Sequence, residues 1–245
     1  MKIDHLVLNI SRKYQQDSKE IKAIQNAGFP YKPDMGIRTK GFKVSNIWIG
    51  NEYLELVRLL LPSGGTWKKE WVDAYNLGHR GLMCLMLDTD NLDAEYKRLS
   101  SLYVPMTKPE TVRYKWFLNL LSKTMPWRNS YIPVFFGVPM QIGFQETKDA
   151  SQKGSMTPNS RDNSIRGIKK VVVEGGFTEG DLKMLAQLFP EGKQETEGFT
   201  VKLENNQTLV FRYNKEYHVT IVTDCKNAEF EKKYVSFENV TLRNS

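Results

Sequence analysis

Polar and apolar positions along residues 1–147 run through the same order twice. A short apolar strand comes first, IDHLVLNI in one stretch and GLMCLMLD in the other. An amphipathic helix follows, SKEIKAIQNAGF and then DNLDAEYKRLSSL. Each stretch closes on two strand-like runs, FKVSNIWIGN with EYLELV, and RNSYIPVFFG with VPMQIGF. A period of two marks half-buried strands, and spacings of three and four mark helices. Asp17 or Ser18 caps the first helix, which Gly28 and Pro30 end; Asp90 or Asn91 caps the second. On the strand Ile3–Ile10, His5 shares a face with Ile3, Val7 and Asn9, because strand side chains alternate. Phe42–Ile49 and Tyr53–Leu61 meet at a turn over Gly50-Asn51. Leu82–Asp88 is apolar almost throughout, as in a strand covered on both faces.

Between the two copies, Thr66–Leu77 reads as a helix ended by Gly78. Its stripe of Trp67, Trp71 and Tyr75 is the pattern of packing against a core. WFLNLL fits a strand or a short helix, and SKTMPWRN reads as a loop that Pro126 keeps out of regular structure. Residues 148–163 are rich in Ser, Thr, Asn, Gly and charge, and form a linker. A third pattern then begins with the strand IRGIKKVVVEG. Thr178 and Asp181 have the spacing of a capping box, and Leu182, Leu185, Leu188 and Phe189 line the helix it opens. Phe199–Lys202, Gln207–Tyr213 and Tyr217–Thr223 alternate as strands, and Tyr234–Leu242 is a further candidate. The expected fold is therefore α+β: two βαβββ modules, about 1–62 and 80–147, forming one cupped mixed sheet, and a third βαβββ-like unit over 164–245.

Composition narrows the function classes. Of 245 residues, 40% are hydrophobic and 26% charged, a balance that supports a sizeable core. No run of ~18 apolar residues marks a membrane span, and no leader precedes the first strand, so a cytoplasmic protein without a membrane role is expected. The net charge of +7 is scattered, with no run of five like charges, which reads as a solvated surface and not a nucleic-acid footprint. Cys84 and Cys225 form no CxxC pair and read as buried free thiols. Gly-rich phosphate loops, a GxSxG elbow and an HExxH helix are absent. A carboxylate such as Glu55, flanked by Leu54, Leu56 and Val57, is costly to bury without a partner.

IDHLVLNI, GNEYLELV, HRGLMCLMLDTDNLDA and KWFLNLL followed by SYIPVFFG, taken in order, resemble the glyoxalase-like domain group of the vicinal oxygen chelate superfamily, over roughly residues 1–147. The resemblance implies paired βαβββ modules around a small-molecule cavity. In that superfamily's metal enzymes each module supplies one ligand from its first strand and one from its fourth. Carried over, these positions fall on His5 and Glu55, then on Cys84 (or Met83 after a one-residue slip) and Gln141, with Glu146 within reach of a shifted register. His5, Glu55 and Gln141 are the metal ligands so implied, for zinc, nickel, iron or manganese, and Glu55 is the catalytic residue. Trp48, Tyr53 and Phe135 would line the substrate pocket, with His79 and Arg80 at its mouth. Two functions follow: a metal-dependent lyase, isomerase or dioxygenase, or a metal-free small-molecule binding or resistance-type sequestering protein. Either would act as a monomer or homodimer on a small-molecule ligand.

Overall fold

The computed structural model describes residues 1–116, 121–148 and 163–245. Fourteen strands in these residues form two seven-stranded mixed sheets. Sheet A holds β1 (Lys2–Asn9), β2 (Phe42–Ile49), β3 (Glu52–Leu59), β4 (Gly81–Asp88), β5 (Glu110–Trp116), β6 (Leu121–Tyr131) and β7 (Gln141–Thr147), in the spatial order β2-β3-β1-β4-β7-β6-β5. Sheet B holds β8 (Ile165–Gly175), β9 (Lys193–Glu195), β10 (Gly198–Lys202), β11 (Thr208–Tyr213), β12 (His218–Cys225), β13 (Tyr234–Phe237) and β14 (Val240–Asn244), in the order β13-β14-β12-β8-β11-β10-β9. Five α-helices accompany them among the described residues: α1 (Lys13–Gln16), α2 (Ser18–Asn26), α3 (Lys69–Asn76), α4 (Leu92–Ser101) and α5 (Glu179–Leu188).

One rule builds both sheets. The first and last strands of each unit pair in parallel, β1 with β3, β4 with β7, β8 with β11 and β12 with β14. The two first strands then pair antiparallel at the sheet centre, β1 with β4 and β8 with β12. The α+β architecture of repeated βαβββ-type modules is thus present: β4-α4-β5-β6-β7 and β8-α5-β9-β10-β11 are complete units, and the first unit, β1-α1-α2-β2-β3, has one strand fewer than expected. The chain goes further than that: β12, β13 and β14 repeat the pattern once more without a helix, and Tyr234–Leu242 is two strands joined at Glu238, whose φ is +54°.

Local chemistry accounts for the helix starts. Asp17 accepts from the Lys19 N–H, Asn91 from the Ala94 N–H, and Thr178 with Asp181 closes a capping box. Pro126, however, lies inside β6, where a loop was expected. Pairing of β5 with β6 slips between Thr111 and Arg113, so Pro126 sits at a bulge where the missing N–H costs no ladder bond, and its carbonyl accepts from the Lys148 N–H. Most of the expected linker, 149–162, and part of WFLNLL, 117–120, lie outside the described residues.

The two sheets share one hydrophobic core. Leu6, Leu8, Leu54, Leu56, Ile142 and Phe144 from sheet A join Val171, Val173, Phe211, Ile221 and Leu242 from sheet B. The approach is close enough to require glycine at two points. A Cβ on Gly50 would lie 1.9 Å from the Arg166 carbonyl oxygen, and one on Gly81 would lie 1.5 Å from Asn239 Oδ1. Both glycines also have positive φ. Gln207 bridges the sheets, accepting from the Ile3 N–H at 2.8 Å and donating to Glu52 Oε1 and the Ile168 carbonyl, each at 3.2 Å. Buried Asp181 accepts from the N–H groups of Phe136 and Gly137, tying the β6–β7 loop to α5.

Candidate functional site

The face of sheet A turned away from the shared core encloses a cavity of about 650 Å³. Register places the residues that line it. His5 lies opposite Tyr53, and Val7 opposite Glu55, across the parallel β1–β3 pair. Asn46 lies opposite Glu55, and Trp48 opposite Tyr53, across β2–β3. Because side chains repeat every second residue, Val44, Asn46, Trp48, Tyr53 and Glu55 all point into this space. Met86 completes the floor, and Trp127, Asn129, Tyr131 and Gln145 form the far wall.

Aromatic rings dominate the walls. Tyr53 stacks on the His5 imidazole with centroids 4.5 Å apart and planes 9° from parallel, and Trp48 leans on Tyr53 at 4.5 Å. Opposite them runs a second chain of rings: Phe42 against Trp67, Trp67 against Trp71, and Trp71 edge-on to Tyr131. Trp67 and Trp71 pack as the sequence stripe indicated, Trp71 buried in a second apolar cluster with Phe42, Val44 and Met86 and Trp67 against it, and both also line the cavity. Lys68 stands over the Tyr131 ring and pairs with Glu70 at 2.7 Å.

The polar groups are few. His5 Nδ1 lies 2.6 Å from Asp4 Oδ1, and both side chains are buried. Burial pushes the Glu55 carboxyl above the usual carboxylate range; His5 opposes that shift and Asp4 adds to it. Asn46 Oδ1, Asn129 Oδ1 and Trp67 Nε1 are buried without a hydrogen-bond partner. Such atoms are rare in folded proteins and costly, and half of those found among the described residues belong to residues that line this one cavity.

The remaining residues singled out from the sequence sit elsewhere. Gln141 is buried, with its Oε1 accepting from Trp71 Nε1 at 3.0 Å and its amide donating to the Ile132 carbonyl at 3.3 Å. Phe135 is buried between the sheets, edge-on to Phe177. His79 lies 3.2 Å from the Leu82 carbonyl oxygen through Nε2 and faces Tyr217, the residue before β12. Arg80 stacks on the Tyr75 ring at 3.6 Å and donates to the Tyr75 and His79 carbonyls. None of these four lines the cavity. Cys84 is fully buried beside Met86 Sδ, and burial pushes its thiol far up. A thiol held protonated is a poor metal ligand. Among the described residues no group of three or more His, Cys, Asp or Glu side chains converges. A resident four-ligand metal centre of the implied kind does not fit these donors: His5 and Glu55 line the cavity, but Cys84 and Gln141 do not, and the Gln141 side-chain carbonyl is engaged by Trp71.

Asp4, Asn46 and Asn129 were not singled out from sequence. Asn46 carried a signal, since it shares strand parity with Trp48. Asn129 falls in the stretch that Pro126 made unreadable, and Asp4 is hidden by the assumption of regular alternation.

No protein-family model matches the sequence, and no curated protein does. Solved structures do show the fold. A hypothetical protein from Staphylococcus aureus matches with a TM-score of 0.69 at 14% identity, over 100% of this chain and 98% of its own. A xylose isomerase-like TIM barrel/4-hydroxyphenylpyruvate dioxygenase fusion protein matches with a TM-score of 0.54 at 10% identity, over 93% of this chain and 36% of its own. Methylmalonyl-CoA epimerase from Mycobacterium tuberculosis matches 62% of this chain at 14% identity, with a TM-score of 0.42 over 91% of its own length. At such identities the likeness concerns the fold alone.

Proposed function

We propose that the cavity of sheet A binds a flat, polar aromatic small molecule, and that Glu55 and His5 form an acid–base floor beneath it. The observation that carries this reading is an aromatic-walled space lined by three residues, Asn46, Asn129 and Trp67, that each hold a buried polar atom without a hydrogen-bond partner. Two acceptors and one donor ask for a ligand edge bearing both N–H or O–H groups and a lone pair. The rings of Trp48, Tyr53 and Trp127 offer faces for stacking, worth about 0.5–1.5 kcal/mol per aromatic pair beyond area burial. Glu55, kept protonated more readily than an exposed carboxyl, is suited to exchanging a proton with a bound ligand. Whether turnover follows binding depends on the ligand, and a sequestering protein needs only the first step.

A thermal-shift screen of hydroxylated and amino heteroaromatic compounds tests this reading, with hits remeasured by calorimetry. Trp48→Ala should weaken a true ligand at least ~10-fold, and Asn46→Ala about 5- to 10-fold through the lost hydrogen bond. The reading fails if hits bind both variants as tightly as the parent protein, or if no such compound binds.

A further inference from the structure

Asp4 and His5 are sequence neighbours on a strand, and in a regular strand their side chains would leave opposite faces. Here they meet. The pairing of β1 with β4 passes from Ile3 opposite Leu87 straight to His5 opposite Met86, so Asp4 and His5 together occupy one step of the partner strand. This is a β-bulge, a device that re-aims a side chain. Its effect runs in both directions along β1. Ile3, expected on the face of His5, turns into the shared core, while His5 and Val7 line the cavity. Asp4, with no exposed surface, forms part of a narrow recess with Trp48, Tyr53, Trp127 and Gln145 that adjoins the cavity.

We propose that Asp4 is the positioning residue of the site: the bulge brings its carboxylate to His5 Nδ1, holding the imidazole in its Nδ1–H tautomer and leaving the Nε2 lone pair as a fixed acceptor for a ligand hydroxyl. This rests on the ligand-binding reading of the same cavity. With the carboxylate ionised, the short Nδ1–Oδ1 contact requires the imidazole N–H to donate. Stacked Tyr53 blocks rotation of the ring out of that plane. A carboxylate behind a histidine fixes both tautomer and orientation, and where the far nitrogen binds a metal, loss of such a partner costs about 10–100-fold. The aspartate touches no ligand in this scheme and acts through His5.

The test has two arms on the full-length protein. Long-range proton–nitrogen correlation on histidine-labelled protein, at a pH about two units above the ~6.5 of free imidazole, reads the tautomer without any ligand. Only three histidines are present, and His79→Gln and His218→Gln assign them. His5 should appear as the Nδ1–H form and should lose that preference in Asp4→Asn. An Nε2–H form or a mixture in the parent protein would overturn the proposal, even if Asp4→Asn fails to fold. The second arm uses 2-naphthol and naphthalene as probes in calorimetry. Asp4→Asn should weaken 2-naphthol about tenfold and leave naphthalene unchanged, whereas equal losses for both would reduce Asp4 to a structural role and overturn the proposal. If neither probe binds the parent protein, it is the aromatic-ligand reading that loses support, and the tautomer measurement still decides the role of Asp4.

Discussion

On sheet A the central strands present His5, Val7, Tyr53, Glu55 and Met86 to the face away from the core. On sheet B the strands in the same topological places present Lys170, Val172, Val210, Thr220 and Val222 to theirs, since the residues between them, Val171, Val173, Leu209 and Ile221, are in the core. The backbone plan is the same, and the connections differ. Sheet A joins its two units through residues 60–80, which include α3 and bring Trp67, Lys68 and Trp71 over the sheet. Sheet B joins its units through residues 214–217 only. Among the described residues the cavity lies on the sheet face that carries this long connection, whose aromatic side chains supply part of its wall. Loops positioned by a rigid scaffold commonly carry function for this reason.

The strongest challenge to this comparison is to ask whether the halves stand apart. Phe211 is fully buried and edge-on to Phe177, which in turn meets Phe135 of the β6–β7 loop. Phe211→Ala should cost about 3–5 kcal/mol, and chemical denaturation followed by tryptophan fluorescence and by circular dichroism should show one coincident transition. All five tryptophans lie before residue 130, so a fluorescence midpoint that stays put while the other signal shifts would show two independent bodies. Gln207→Leu is a smaller cut at the same joint. It strands the Ile3 N–H and removes one hydrogen bond each from Glu52 and the Ile168 carbonyl, and we expect a loss of about 2–3 kcal/mol by the same measurement.

Glu55→Gln should act in the opposite direction. The carboxyl's folded-state pKa is raised, so the native state holds its proton through a window in which the unfolded chain, near ~4.3, has released it. Stability contributed by this group is therefore greatest at low pH and falls as pH rises from the unfolded value to the folded one. Glu55→Gln should remove that slope and raise the melting temperature at neutral pH, while weakening any ligand that uses the carboxyl. A melting temperature below that of the parent at pH 7.5 would show that the carboxylate has a stabilising partner. Thr220→Ala, on the matching face of sheet B, should change stability by less than about 0.5 kcal/mol and leave ligand binding untouched; a clear loss of binding would assign that face a part in the site.

The repeat was legible because it is written in local chemistry. Caps at Asp17, Asn91 and Thr178, and alternation along FKVSNIWI and EYLELV, involve residues within a few positions of one another. The α+β order of strands and helices followed from them, and the shared parity of Tyr53 and Glu55 came from the same period of two. Local chemistry failed where a regular element was interrupted. The bulge at Asp4–His5 moved Ile3 into the core, and the slip between Thr111 and Arg113 let Pro126 sit in a strand.

What the sequence by itself determined is which segments become strands and helices and how the unit repeats, since hydrophobic period and capping depend on near neighbours. Tertiary structure alone decided the rest. It set the Gln141 carbonyl against Trp71, 70 positions away, closed His79 against Tyr217, buried Phe135 between the sheets, and made Trp67 and Trp71 part of a cavity wall as well as of an apolar cluster. Which polar atom meets which partner depends on how the curved sheets and their long connections pack, and spacing along a chain does not encode that distance.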